Sequence, residues 1–256
     1  MGKILEITDL YAGYGNEIIL KDVSLVVNDN DYIGIIGPNG GGKTTLLKVI
    51  LGIIKPYRGS VTFFNDRQGE SSNGESSNII GYLPQINQID LRFPIQVADV
   101  VLSGLMSKEG LFSRYSGRQK KLAESLLSRL GVYHLRKKTI GELSGGQLQR
   151  IYLCRAIISS PRLLMLDEPN TFVDTKFETD FYEILRDLNN DMAIIVVSHD
   201  VGTISWYVKT IACVNRNLHY HPTNTITQEQ LASYNCPIQL VTHGDIPHTV
   251  LATHKH

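Results

Sequence analysis

Nine residues, Gly37-Pro38-Asn39-Gly40-Gly41-Gly42-Lys43-Thr44-Thr45, have the types and spacing to hold a polyphosphate. They fit G-x-x-x-x-G-K-[ST]. In that pattern glycines let the backbone aim N–H groups at phosphate oxygens, the lysine reaches the terminal phosphates and the Thr44 hydroxyl binds Mg²⁺. Further on, Asp167 and Glu168 close the apolar run Leu163-Leu164-Met165-Leu166. Acidic residues often end strands, but after a phosphate loop Asp167 suits the Mg²⁺ shared with Thr44, and Glu168 suits polarising an attacking water. Leu143-Ser144-Gly145-Gly146-Gln147 precedes a helical pattern. It reads either as a second anion site at a positive helix end or as a serine N-cap in a glycine turn; the second gives no reason for two glycines.

These residues need a scaffold of strands feeding helices. Asp31 to Ile36 reads as a buried strand entering the phosphate loop, and Thr44 to Leu51 as the helix leaving it. Lys3 to Leu10 alternates like a strand with one solvated face, and Val23 to Asn28 follows as its neighbour. Between them Tyr11 to Asn16 reads as a turn carrying aromatics, where a tyrosine either stacks on an adenine ring or covers the core edge. Ser60 to Phe64 and Ile79 to Leu83 are further strands, separated by a polar stretch, 66–78, that reads as an exposed loop.

From about Ile86 to Gly141 helices replace strands: Val97 to Leu102 is short, and Gln119 to Leu130 sets Leu122, Leu126 and Leu130 on one face. Helices are predicted over Gly146 to Ile158 and Thr175 to Leu188, and strands over 162–168, Ala193 to Val197, Thr210 to Val214 and Leu218 to Tyr220. Thr227 to Tyr234 carries a capping-box spacing and reads as a last helix before a histidine-rich tail. Such alternation implies an α/β fold with a mostly parallel sheet.

With 256 residues the chain is long enough for a large core with an inserted subdomain. Lys plus Arg total 25 and so do Asp plus Glu, which removes the global positive field expected of a nucleic-acid binder. Cys154, Cys213 and Cys236 are widely spaced and lack C-x-x-C, which fits a reducing compartment. Cys154, within a helix, reads as a small core residue. Lys3, Glu6 and Asp9 do not suit a secretory signal, and no apolar run nears the ~18 to 20 residues of a membrane helix. Work at a membrane would need another chain to span it.

The phosphate loop, Gln85 after a strand, LSGGQ at 143–147, LLMLDEP at 163–169, Asp174 and His199 follow the order and approximate spacing of the ATP-binding cassette (ABC) ATPases. The chain resembles that family throughout its length. The resemblance implies a P-loop NTPase (RecA-like) core, an N-terminal antiparallel β subdomain and an inserted α-helical subdomain. It divides the chain into 1–85 (β subdomain and phosphate loop), 86–141 (helical), 142–222 (remaining core) and 223–256 (C-terminal helix and tail).

In the family two copies sandwich two ATPs. Tyr14 would then stack on adenine, and Gly37 to Thr45 would hold the phosphates with Mg²⁺ on Thr44, Gln85 and Asp167. Lys43, Gln85, Glu168 and His199 would be catalytic. Ser144, Gly145, Gly146, Gln147 and Asp174 would act from the second copy. Asn170-Thr171-Phe172-Val173 departs from the small residues usual before that aspartate.

A narrower likeness, to ATPases of zinc- and manganese-type metal importers, rests on Phe93-Pro94-Ile95, Asp99 to Gly104, the triple glycine before Lys43, Cys213 to His221 and His243-Gly244. It implies an ABC importer subunit for a divalent metal, at the inner face of the cell membrane on a permease partner, with an extracytoplasmic metal-binding protein acting indirectly. Phe93 to Gly104 and Gln85 would line the docking groove. The rivals are an ABC ATPase for another substrate, a soluble regulator, a DNA-repair ABC head and a P-loop kinase. About a hundred residues separate the phosphate loop from LSGGQ, with no sustained heptads, which disfavours the DNA-repair head. A kinase gives no reason for LSGGQ or His199. His219, His221, His243, His248, His254 and His256 read either as metal ligands or as parts of a polar tail.

Overall fold

Three five-residue strands, β3 (Tyr32–Ile36), β7 (Leu163–Asp167) and β8 (Ala193–Val197), have every residue buried. Unbroken apolar runs of this kind belong to parallel strands covered on both faces. The computed structural model describes residues 2–65, 70–73, 79–85, 90–106, 115–169, 175–199, 201–224, 238–243 and 246–251. They fall into two compact units, Met1–Ser76 with Met192–His256, and Ser77–Asp191.

In the first unit β3 pairs in parallel with β8 on one side and β9 (Thr210–Asn215) on the other, and β10 (Asn217–His221) pairs antiparallel with β9. An antiparallel sheet in the order β2-β1-β4-β5 is made by β1 (Lys3–Tyr14), β2 (Glu17–Asn28), β4 (Arg58–Asn65) and β5 (Glu70–Asn73). The first two strands are longer than expected, so the predicted turn over 11–16 shrinks to its tip, Gly15-Asn16. Alternation along β1 breaks at Asp9, whose φ of 46° accompanies a register shift between Ile7 and Leu10. That bulge returns Leu10 and Ala12 to the buried face occupied by Leu5 and Ile7. Glu70–Asn73, expected within an exposed loop, instead pairs with β4; the loop's other residues, 66–69 and 74–78, lie outside the described residues. Helices α1 (Lys43–Ile50) and α6 (Val201–Ser205) complete the unit with a hairpin of β11 (Ile238–His243) and β12 (Ile246–Leu251). The hairpin stands where only a mixed tail was expected, and the predicted helix over 227–234 lies outside the described residues.

The second unit pairs β6 (Ile80–Leu83) in parallel with β7 and adds α2 (Val97–Leu102), α3 (Gly117–Arg129), α4 (Gly145–Ile157) and α5 (Thr175–Leu188). Ser116 opens α3 with a reciprocal cap: its N–H donates to Gln119 Oε1 at 2.6 Å and its Oγ accepts from the Gln119 N–H at 3.3 Å. The face that α3 buries is Ala123 and Leu127, continued by Leu130, while Leu122 is 39% exposed. The helix is thus rotated from the expected Leu122/Leu126/Leu130 stripe, since adjacent rows fit the helical period equally and packing buries the one through Ala123 and Leu127.

Candidate functional site

The phosphate loop leaves β3 at Gly37 and ends at Gly42, the N-cap of α1, which has φ 107° and no side-chain cap. A Cβ on Gly42 would come within 2.5 Å of Leu20 Cδ2, and one on Gly37 within 2.0 Å of the Val214 carbonyl oxygen. Both positions therefore require glycine, for backbone conformation and for close approach. The leading N–H groups of an uncapped helix have no intrahelical acceptor and form an anion site. The Lys43 side chain is buried, and its ammonium donates to the carbonyls of Gly37 at 2.9 Å and Pro38 at 3.1 Å. Lys43 is thereby held over its own loop. Thr44 is exposed and Thr45 buried.

Two residues outside the motif fasten this loop. The Arg216 N–H donates to the Gly41 carbonyl at 2.9 Å, and the Lys21 N–H donates to the Arg216 carbonyl at 2.8 Å. Arg216, with φ 63°, forms the turn between β9 and β10. The contact itself has no signal in the linear sequence, since only the pairing of those strands carries Arg216 to the loop. Tyr14, 48% exposed, ends β1, and the Lys48 ammonium lies 5.6 Å from its ring centroid and 3.4 Å from its hydroxyl. His199 is exposed just beyond β8, where the neighbouring Ser198 N–H donates to the Ile35 carbonyl at 3.0 Å.

In the second unit the strand end carries the carboxylates. Asp167 is buried at 3% exposure, and Glu168, next in the chain, has a left-handed backbone with φ 47°. The Gln85 amide donates to Glu168 Oε2 at 2.7 Å, bringing together residues 83 apart in sequence. Gln149, on α4, donates to the Pro169 carbonyl at 2.6 Å and so holds the chain immediately after Glu168. Tyr82, on β6, hydrogen-bonds Asp167, and burial together with that carboxylate's charge pushes its phenol up to about 12. Motif reading singled out neither Tyr82 nor Gln149; a tyrosine next to the strand's last residue was the available signal. Ser144 caps α4: its Oγ accepts from the Gln147 N–H at 3.3 Å and its N–H donates to Gln147 Oε1 at 3.2 Å. Gly145 and Gly146 open that helix. The N-cap reading of Ser144 therefore holds as local structure. Asp174, with Phe172 and Val173, lies outside the described residues.

Thr44 offers a hydroxyl, Gln85 an amide oxygen and Asp167 a carboxylate. Thr44 lies in the first unit and the other two in the second; each is a hard oxygen donor of the kind that Mg²⁺ takes alongside phosphate and water. Among the described residues no group of three or more His, Cys, Asp or Glu side chains is arranged to hold a metal ion. His221 is buried, and burial and His219 lower its pKa. His243 and His248 fall in β11 and β12, whereas His254 and His256 lie outside the described residues. Cys154 is buried and its thiol is pushed up to about 12 by desolvation, which makes it a core residue.

Parallel strands feeding a glycine loop into an uncapped helix, with a strand-end Asp-Glu pair, define a P-loop nucleotide-binding protein of the α/β class. The family model for ABC transporters matches residues 20–171. The zinc uptake system ATP-binding protein ZurA of Listeria innocua is 36% identical over 235 residues, covering 91% of this chain and 90% of that protein. A probable metal transport system ATP-binding protein of Thermotoga maritima is 39% identical over 232 residues, 90% and 89% of the two chains. Among solved structures, one of an ABC transporter assigned to the metal-chelate type, in an inward-facing conformation, matches with a TM-score of 0.81. It shows 26% identity and covers 97% of each chain. The chain belongs to the ABC transporter family and is an ATPase of that family. No helix among the described residues is long and apolar enough to cross a membrane.

Proposed function

We propose that this chain binds and hydrolyses ATP to energise import of a divalent metal ion, zinc or manganese, through a separate membrane-spanning permease. The observation that carries the cargo assignment is the likeness to ZurA, named for zinc uptake, along nine-tenths of both chains. The catalytic assignment rests on the 2.7 Å bond between Gln85 and Glu168 at the end of β7. The phosphate loop takes the triphosphate, with Lys43 on its terminal phosphates and Tyr14 against the adenine. Thr44, Gln85 and Asp167 would hold Mg²⁺, which when bound would supply neutralisation of phosphate charge. Glu168 accepts the proton of the attacking water as its oxygen bonds to the γ-phosphorus and the bond to the β–γ bridging oxygen breaks. ADP and inorganic phosphate result. His199 orients the γ-phosphate and water.

Ser144, Gly145, Gly146, Gln147 and Asp174 serve the ATP of a second copy, so ATP draws two subunits into a dimer and hydrolysis releases them. The helical segment 86–141 carries that cycle to the permease, which holds the chain at the inner face of the membrane. An extracytoplasmic metal-binding protein delivers the ion. Glu168→Gln tests the chemistry. It should retain ATP binding while turnover falls by about 10²- to 10⁴-fold, the range for losing a general base. Normal turnover by the variant would remove Glu168 from that role.

A further inference from the structure

The β1–β2 hairpin that ends at Tyr14 is tied down by a residue from a distant part of the chain. The Tyr57 hydroxyl donates to the Gly15 carbonyl at 2.8 Å, across 42 residues of sequence. Its own position is set by the backbone, because the Tyr57 N–H donates to the Tyr11 carbonyl at 2.7 Å. Next to it Arg58 pairs with Tyr11 in the β1–β4 register and places its guanidinium 5.7 Å from the Tyr11 ring centroid. Gly15 directly follows Tyr14 and sits at the hairpin tip with φ 57°. Tyr14 thus has Lys48 over its ring from α1, while its tip is anchored from the start of β4. A hairpin tip left to itself is a place of low local stability. A ring already held in its binding position loses less freedom when a ligand stacks on it.

We infer that Tyr57 is a positioning residue for nucleotide recognition, holding the tip so that the Tyr14 ring is presented to the base of ATP. This rests on the reading of Tyr14 as the adenine-stacking residue. Tyr57 does not touch the phosphates on this account, and its effect is confined to the base. The test is calorimetric titration of the full chain with ATP and, separately, with tripolyphosphate, which has the phosphates but no base. Tyr57→Phe removes only the hydroxyl. It should weaken ATP binding by about three- to tenfold, the loss of one hydrogen bond, and leave tripolyphosphate affinity unchanged. Tyr14→Ala should show the same split, and the double variant should bind ATP no more weakly than Tyr14→Ala alone. If Tyr57→Phe leaves ATP affinity unchanged while Tyr14→Ala weakens it, the tether is overturned and the stacking role stands. Equal weakening of ATP and tripolyphosphate by Tyr57→Phe also overturns it, since that is general loosening. If Tyr14→Ala leaves ATP affinity unchanged, the stacking role fails and the inference with it.

Discussion

Glu168 is held from two directions in a left-handed backbone conformation. Its φ of 47° is a conformation that costs a non-glycine residue on the order of 1 to 3 kcal/mol and persists only where the surroundings impose it. Here Gln85 fixes the carboxylate and Gln149 fixes the carbonyl of the next residue. The neighbouring Asp167 is approached instead by Tyr82, whose phenol is raised from an ordinary 10.0 to about 12. The sign of the linkage follows. The folded protein keeps this proton above pH 10, where the unfolded chain loses it, so the contribution to stability is full below pH 10 and is lost as pH rises towards 12. A phenolate difference titration, wild type minus Tyr82→Phe, should therefore give a midpoint well above those of exposed tyrosines. A midpoint near 10 would detach Tyr82 from Asp167.

At the scale of elements, α3 gives the cleanest stability test, because its two leucine rows have different environments. Leu127→Ala should cost about 2–5 kcal/mol, the range for deleting a buried leucine side chain. Leu122→Ala, at a position 39% exposed, should change stability by only about 0.5 kcal/mol. Urea denaturation midpoints separate the two, and equal losses would contradict the face assigned to the helix. The same helix shows what pattern reading reaches and where it stops. Its existence and its stop before Gly131 were legible from periodicity, but two adjacent rows of apolar residues fit the period equally, and only packing chooses between them. Strands β3, β7 and β8 were legible almost to the residue, since unbroken apolar runs leave one reading. The extension of β1 to Tyr14 was not. The bulge at Asp9 breaks the alternation, and Gly13-Tyr14-Gly15 has the composition of a turn.

For the molecule as a whole, the phosphate loop, the Asp-Glu strand end and LSGGQ were legible because each motif is local in sequence. The residues that secure them were not. Arg216 reaches Gly41 only through the β9–β10 turn, and Gln149 reaches Pro169 across 20 residues. Tyr57 reaches Gly15 only because β1 and β4 pair. None of these contacts has a sequence signature, since each depends on tertiary proximity and not on spacing. At this scale the central claim is that ATP hydrolysis by this chain drives metal uptake through a permease. On the proposed function the cargo is chosen by the permease and binding protein, so no substitution in this subunit alone can test it. The direct measurement is the ATPase rate of the complex with its permease in lipid vesicles, with the binding protein supplied empty or loaded with zinc, manganese or magnesium. Zinc- or manganese-loaded protein should raise the rate several-fold over the empty form, and Glu168→Gln should abolish that rise. A rate indifferent to all three metals would contradict metal import as the function.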